Sequence, residues 1–406
     1  SYWGGLQNHL IRNQYNSNWV HISLSNESKK IKALKSTPNK LFFDLNNNPH
    51  NNQNHLFIES LFSWSIAFYS LIKFTRIFLI SLFKEKKLRS KIRFFSLIRL
   101  EYIKTFQSNA TLENILYFYL FGKLFQRLSN QKRIVFLYEN LPWERSLCYF
   151  SKLLHESELL ATIHTNVRFW DLRYSFFSRD TKDFRNHLFE PDVYCINSKH
   201  QRNALIDAGY PIDKIRNVEA LRFEYLIKNS EAFKNKKAYL ESQSRKKNKN
   251  ILIIGCYEKD NNHSLLNLST NLSKRFKSEV DIFYKPHPAL STPYPFKNNH
   301  IKTIHKIDFA LEIADLVITG PLTTVALDAY LFGKRVFVII GNNKINMSPL
   351  RGLDDSVFIY DISKFIKYEE NFLFGPIKNI QANLSINDFY FFDSSYPRWN
   401  RQLGLK

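Results

Sequence analysis

The pentapeptide Tyr284-Lys285-Pro286-His287-Pro288 places an ammonium and an imidazole two residues apart at the end of an apolar run. A proline on each side stiffens the backbone and fixes where the ring sits. An imidazole held there can contact a phosphate and give a proton to a leaving group, while Lys285 adds positive charge. Downstream, Thr319-Gly320-Pro321-Leu322-Thr323-Thr324 carries a second apolar strand into a helix. Thr323 and Thr324 stand near the helix N-terminus, where backbone N–H groups and the helix dipole favour an anion. Their hydroxyls are further donors. A threonine there can also simply cap the helix, which is compatible with phosphate binding. Asp328, one turn on, is either a ribose contact or an ordinary helix-face carboxylate. Gly255, in Gly255-Cys256-Tyr257-Glu258, allows a ligand or helix to approach closely. Neither GxGxxG nor GxxxxGK[ST] occurs, which argues against a dinucleotide fingerprint and a P-loop ATPase.

The first half offers a second set. Glu139, in Tyr138-Glu139-Asn140-Leu141-Pro142-Trp143-Glu144-Arg145, follows an apolar strand. Burial beside aromatics would raise its pKa and suit it to general-base work, or it pairs with Arg145 as an ordinary glutamate. His164, Asn166 and Arg168 end the next strand; with Arg173 and Arg179 they suit an acceptor rich in hydroxyls, carboxylates or phosphates. Asn197-Ser198-Lys199 ends another strand, and Ser198 serves equally well as a helix cap.

The elements that must position these residues alternate. Strands are expected at Arg133–Tyr138, Leu160–His164 and Val193–Asn197, with helices at Trp143–His155 and Ser198–Ala208, the latter ended by Gly209. A polar, basic stretch at 227–250 reads as a linker or solvated helix. Alternation then restarts: strands Ile251–Gly255, Val280–Tyr284, Leu316–Thr319 and Arg335–Ile340, and helices Ser264–Phe276 and Thr323–Phe332, closed by Gly333. This predicts two α/β halves with parallel sheets, joined near residue 230, whose strand ends face a cleft. Gly5–Arg12 reads as a helix before a strand at Trp19–Ser23. An α/β fold places a strand ahead of such a helix, so the native N-terminus is expected to be missing.

At 406 residues, with 44% hydrophobic residues and a mean hydropathy of −0.33, a soluble globular class with two or three domains is expected. The 58 Lys and Arg against 36 Asp and Glu give +22, a surface that attracts anions. The richness in Lys, Asn, Ile and Phe is also what an AT-rich genome produces. Cys148, Cys195 and Cys256 are widely spaced, indicating neither zinc nor disulfides and fitting a reducing, cytoplasmic setting. Leu56–Phe83 is strongly apolar but interrupted by Glu59, Lys73 and Arg76, and a basic run at 84–89 follows. The favoured reading is one or two buried helices. The sharper one is an interfacial membrane helix with a basic flank, and a transmembrane span comes last.

The second half resembles the donor-binding domain of GT-B glycosyltransferases, in particular bacterial transferases using CMP-activated acidic sugars, the sialyl- and Kdo-transferase-like enzymes. The matching residues are His287-Pro288 and Thr323-Thr324. The whole chain is similar to bacterial surface carbohydrate biosynthesis proteins of lipopolysaccharide and capsule, through residues 138–144 and 284–288, and with specificity over roughly 130–345. The resemblance implies an α/β GT-B fold of two Rossmann-like parallel-sheet domains facing a cleft. An N-terminal acceptor domain spans 1–230, with an apolar helical insertion at about 55–125. A nucleotide-sugar domain spans 231–385, and a tail, 386–406, returns to the N-terminal domain. It implies a metal-independent transferase without a cofactor, in which His287 assists departure of the CMP phosphate that Thr323 and Thr324 hold. Lys285, Pro288, Gly255, Gly320 and Asp328 would complete the donor site; His164, Asn166, Arg168 and Arg173 would bind the acceptor. The family's acid-acid-Gly base motif is missing, so Glu139 takes that role on position alone. Expected partners are a nucleotide sugar, a glycan or glycolipid acceptor and a peripheral contact with the cytoplasmic face of the inner membrane, but no nucleic acid. The competing expectations are a UDP- or GDP-sugar donor, and a non-catalytic polyanion-binding protein.

Overall fold

The computed structural model describes residues 2–22, 46, 52–129, 131–175, 187–227, 248–256, 258–276, 279–287, 301–341, 344–353, 357–361, 365 and 386–405. The expected boundary near 230, together with Pro288 and Arg179, lies outside the described residues. The chain forms two compact units. The first comprises Ser1–Tyr2, His164–Phe177 and Ile196–Lys406; the second comprises Trp3–Ile163 and Ser178–Cys195.

The second unit opens with helix α1 (Leu6–Arg12) and the parallel pair β1 (Ser17–His21) and β2 (Gln53–Phe57). Helices α2 (Trp64–Lys91), α3 (Phe95–Phe106) and α4 (Asn109–Arg127) follow, and then the parallel run β3 (Arg133–Leu137), β4 (Glu158–Thr162) and β5 (Val193–Ile196). Helix α5 (Pro142–Leu154) connects β3 to β4. It begins with proline at a position whose N–H would have no helical partner anyway. One expectation fails here. The apolar segment before residue 83 does not form buried helices: α2 buries only the stripe Ile66, Ser70, Ser81 and Glu85. Phe74, Ile77, Phe78 and Leu88 are half-buried, and the remaining large apolar side chains stand in solvent, Trp64 at 85% exposure and Phe83 at 77%. The cause is one-sided packing: no element among the described residues covers the opposite face.

The first unit contains helix α6 (Lys199–Asp207) and strand β6 (Ile215–Asn217). A capping box starts α6: the Ser198 hydroxyl accepts the Gln201 N–H at 3.1 Å, and Gln201 Oε1 accepts the Asn197 N–H at 2.9 Å. Ser198 is therefore a cap. Gly209 closes the helix at φ +90°, a left-handed conformation that costs glycine least.

The main sheet of this unit has six parallel strands: β7 (Lys249–Ile254), β8 (Val280–Lys285), β9 (Ile301–Thr303), β10 (Leu316–Thr319), β11 (Arg335–Ile339) and β12 (Phe358–Ile359). Helices α7 (Lys259–Arg275), α8 (Ile307–Ile313) and α9 (Val325–Leu331) intervene. The spatial order is β12-β11-β10-β7-β8-β9. The chain lays down β7, β8 and β9 outward, then returns to the other side of β7 for β10, β11 and β12. This is the doubly wound order, and its reversal lies between β7 and β10. The inner strands β7 and β10 are almost wholly buried, as continuous apolar runs covered on both faces should be. Separate apolar clusters cover the two faces, one holding Leu252, Val317 and Val338, the other Ile251, Ile253 and Ile318. Helices α10 (Ile386–Phe389) and α11 (Pro397–Leu403) close the chain.

Candidate functional site

Ligands of doubly wound sheets sit beyond the carboxyl ends of the strands at the order reversal. The register identifies what stands there. Ile254 pairs with Lys285 on one side and with Thr319 on the other, so three adjacent strands end in one row. Beyond that row lie Gly255-Cys256 after β7, Pro286-His287 after β8 and Gly320–Thr324 after β10. Six residues singled out from sequence (Gly255, Lys285, His287, Gly320, Thr323 and Thr324) thus share one sheet edge.

The two glycines are there for proximity. A Cβ on Gly255 would meet the Tyr284 hydroxyl at 2.5 Å and Asn262 Oδ1 at 2.8 Å, two atoms joined by their own hydrogen bond of 2.7 Å. A Cβ on Gly320 would sit 3.2 Å from both Cβ and Sγ of Cys256, so the turn after β10 packs directly on the turn after β7. Thr323 Oγ1 accepts the Val325 N–H at 3.4 Å, a long bond, and the Thr324 side chain makes no capping bond. Both threonines are half-buried.

The electrostatics suit an anion. Desolvation lowers the pKa of Lys285, and desolvation followed by the repulsion of Lys285 lowers that of His287. Two cationic groups disfavoured by burial and by each other gain most from an arriving negative charge. A third cation here was not anticipated. Lys344 is exposed and donates to Asn261 Oδ1 at 2.6 Å; burial pushes the nearby Cys256 thiol up to about 11, and the Lys344 charge opposes that rise only slightly. It follows β11 without any motif, so only the fold brings it to this edge.

Asp328 is not a ribose contact in this arrangement. Helix α9 is buried from Ala326 to Leu331, and Asp328 is 3% exposed. Tyr225 donates to its Oδ2 at 2.6 Å, and burial pushes its pKa up to about 6. Its Oδ1 is buried without a hydrogen-bond partner among the described residues.

The expected acceptor residues fall on one loop of the first unit. His164 and Asn166 are buried; Tyr2 packs edge-on against His164 at 4.7 Å, and the fully buried Tyr390 donates to Asn166 Oδ1 at 3.0 Å. Arg168 has a buried Nε without a hydrogen-bond partner among the described residues, and burial lowers its pKa. Arg173 is exposed and bridges Asp171 at 2.7 Å. The exposed rings of Phe169 and Trp170 sit under Arg351, at 4.1 and 5.2 Å from its guanidinium carbon. The loop thus adds the aromatic rings of Phe169 and Trp170 and the Arg351 guanidinium to the polar residues expected from sequence.

In the second unit, Glu139 follows β3, half-exposed. The Arg145 guanidinium donates to Glu190, to Asn140 Oδ1 and to the Phe189 carbonyl. The carboxyl that burial pushes up, to about 7, belongs to Glu144. Glu144 is 1% exposed, and its Oε1 accepts the Glu139 N–H at 2.8 Å, holding the turn into α5. Its ordinary value is 4.5, so the folded protein binds more protons between pH 4.5 and 7 and loses stability as pH rises through that window. Glu144→Gln carries no charge at any pH. The variant is expected to gain on the wild type between pH 5 and pH 8, by up to about 3 kcal/mol, in parallel denaturation curves. An equal offset at both pH values would contradict the assignment.

No family model and no curated protein matches this chain. Solved structures with a similar chain path include UDP-GlcNAc 2-epimerase from Neisseria meningitidis bound to UDP-GlcNAc. That match has a TM-score of 0.46 and 10% identity over 95% of this chain and 96% of that one. The Methanocaldococcus jannaschii UDP-GlcNAc 2-epimerase matches with a TM-score of 0.43 and 15% identity, over 87% and 92% of the two chains. Anabaena HepE in complex with UDP and glucose matches with 0.36 and 13% identity, over 61% and 70%. At these scores nothing about the chemistry of this chain follows from the likeness.

Proposed function

We propose that this chain is an enzyme that processes a nucleotide sugar, binding its phosphate at the carboxyl edge of the six-stranded sheet, and that the reaction is glycosyl transfer. The observation that carries the reading is the shared edge. Lys285 and His287 meet the two close-packed glycine turns and the threonine pair where the strand order reverses. Cations and hydroxyls gathered there stabilise charge that grows on a departing phosphate. His287 supplies the proton to that phosphate. Glu139 is the proposed base for the acceptor hydroxyl, and the loop carrying Asn166, Arg168 and Arg173 the proposed acceptor surface.

The donor is proposed to be CMP-linked, on the His-Pro and Thr-Thr resemblance alone; a UDP- or GDP-linked donor uses the same phosphate site. A thermal-shift panel separates them, with CMP, CDP, UDP, GDP, UDP-GlcNAc and UDP-glucose as probes. A ligand at a hundred times its Kd stabilises the folded protein by about 2.7 kcal/mol. Preference for cytidine nucleotides supports the CMP donor; preference for uridine or guanosine nucleotides replaces it. No shift with any nucleotide, together with salt-sensitive binding to any polyanion, would sink the enzyme reading in favour of polyanion binding.

A further inference from the structure

Sixteen of the twenty-eight large hydrophobic side chains exposed among the described residues fall between Phe62 and Phe106, a short part of the chain. Thirteen of them belong to α2 and α3, and Phe62, Ile92 and Phe94 flank these helices; buried positions are few, and on α3 only Phe95 is buried. On α2 the buried and half-buried positions Ile66, Ser70, Phe74, Ile77, Ser81 and Glu85 recur at three- and four-residue spacing, while Trp64, Phe68, Leu79 and Phe83 stand exposed. A helix whose open face carries this many large apolar side chains is not built to end in water.

The hairpin is preformed. Glu85, 8% exposed, accepts from Arg89 at 2.9 Å and Arg99 at 2.8 Å, and the Tyr102 hydroxyl donates to the Ser81 carbonyl at 2.8 Å. The same segment, 62–106, carries ten Lys or Arg against two Glu. Both glutamates are already bridged, Glu85 as above and Glu101 to Lys104. The apolar face is therefore embedded in an excess of positive charge.

We propose that the α2–α3 hairpin docks on an anionic lipid bilayer surface, its open apolar face entering the boundary between headgroups and acyl chains. Charge selects this occupant. Two such faces brought together in a dimer of this chain would repel, whereas acidic headgroups attract them. The helix is 28 residues long and apolar enough to cross a bilayer by length and composition. Its packed stripe and the exposed Lys73 and Arg76 at mid-length place it along the surface instead. Exposed aromatic rings such as Trp64 and Phe83 favour the same depth, and lysine and arginine stems reach outward to phosphates.

The test is flotation of the full chain with vesicles of pure phosphatidylcholine and of phosphatidylcholine with about one third phosphatidylglycerol. The wild type is expected to partition onto the anionic vesicles at least about tenfold more strongly, and less so in high salt. Phe83→Glu with Leu97→Glu alters two side chains exposed by 77% and 78%, so the fold is retained. This double variant is expected to lose at least about tenfold in partitioning with an unchanged melting curve. Wild type that ignores both vesicle types, or a double variant that still floats, would overturn the proposal. So would a wild-type dimer, seen by sedimentation without lipid, that the double variant dissolves, because a second copy would then be the occupant.

Discussion

His287→Ala is expected to lower turnover by about 10²- to 10⁴-fold, the range lost when a positioned acid is removed. The side chain follows β8 beside Lys285, and burial together with that lysine holds its pKa below the ordinary 6.5. In the free protein the ring is therefore mostly neutral at pH 7. An arriving phosphate reverses the balance, because negative charge favours the imidazolium. Binding must then take up a proton, so phosphate affinity rises as pH falls through the pKa of the complex and levels off below that of the free protein. His287→Gln keeps the size and loses the titration. Its affinity is expected to be flat with pH over this window, with kcat reduced more than KM is raised. Near-wild-type turnover in both variants would remove His287 from the mechanism.

Glu219→Ala is expected to cost about 2–5 kcal/mol, and its effect is structural. Glu219 is 3% exposed and holds the start of α11. Its Oε1 accepts the Arg398 N–H at 3.0 Å and Arg398 Nη1 at 3.1 Å, and its Oε2 accepts the Trp399 N–H at 3.0 Å. The Glu219 carbonyl takes the Trp399 indole N–H at 3.1 Å, with the Trp399 side chain fully buried. Helix N-terminal N–H groups have no intrahelical acceptor, so one carboxylate here satisfies two of them and opposes the positive end of the dipole. Alanine leaves those donors without a partner in a closed environment. Hydrogen exchange across residues 397–403 reads the loss locally: protection should fall sharply in the alanine variant and less in Glu219→Gln. Unchanged protection would mean that Trp399 packing alone holds the helix.

The parts of this fold legible in the sequence are those governed by local rules. The apolar strands from Ile251, Leu316 and Arg335 begin and end within a residue or two of expectation, because strands covered on both faces show as unbroken apolar runs. Ser198 and Gln201 form a cap from adjacent sequence, and Gly209 and Gly333 take left-handed conformations where helices end. The phosphate-type residues converge because parallel register aligns the ends of β10, β7 and β8.

The rest depended on contacts distant in sequence. Asp328 is a lone carboxylate in an apolar helix, which hinted at burial, but its partner Tyr225 lies 103 residues away. Glu139 stands out in sequence because it directly follows an apolar strand, whereas the burial of Glu144 is set by the turn into α5 that its carboxylate holds. The apolar run of α2 announced a buried helix, yet composition does not say whether a second surface covers it. Lys344 reaches the sheet edge through the strand order alone.

The central claim is that a nucleotide phosphate binds where β7, β8 and β10 end, and calorimetric titration of Lys285→Ala tests it most directly. Lys285 is half-buried, and among the described residues its ammonium makes one hydrogen bond, a long one of 3.5 Å to the neighbouring Pro286 carbonyl; its removal should therefore leave the fold intact. The account predicts that the nucleotide preferred by the wild type binds the variant about 10- to 100-fold more weakly, as expected for one lost charge-assisted phosphate contact. Unchanged affinity in the variant, or a wild type that binds no nucleotide, would contradict it.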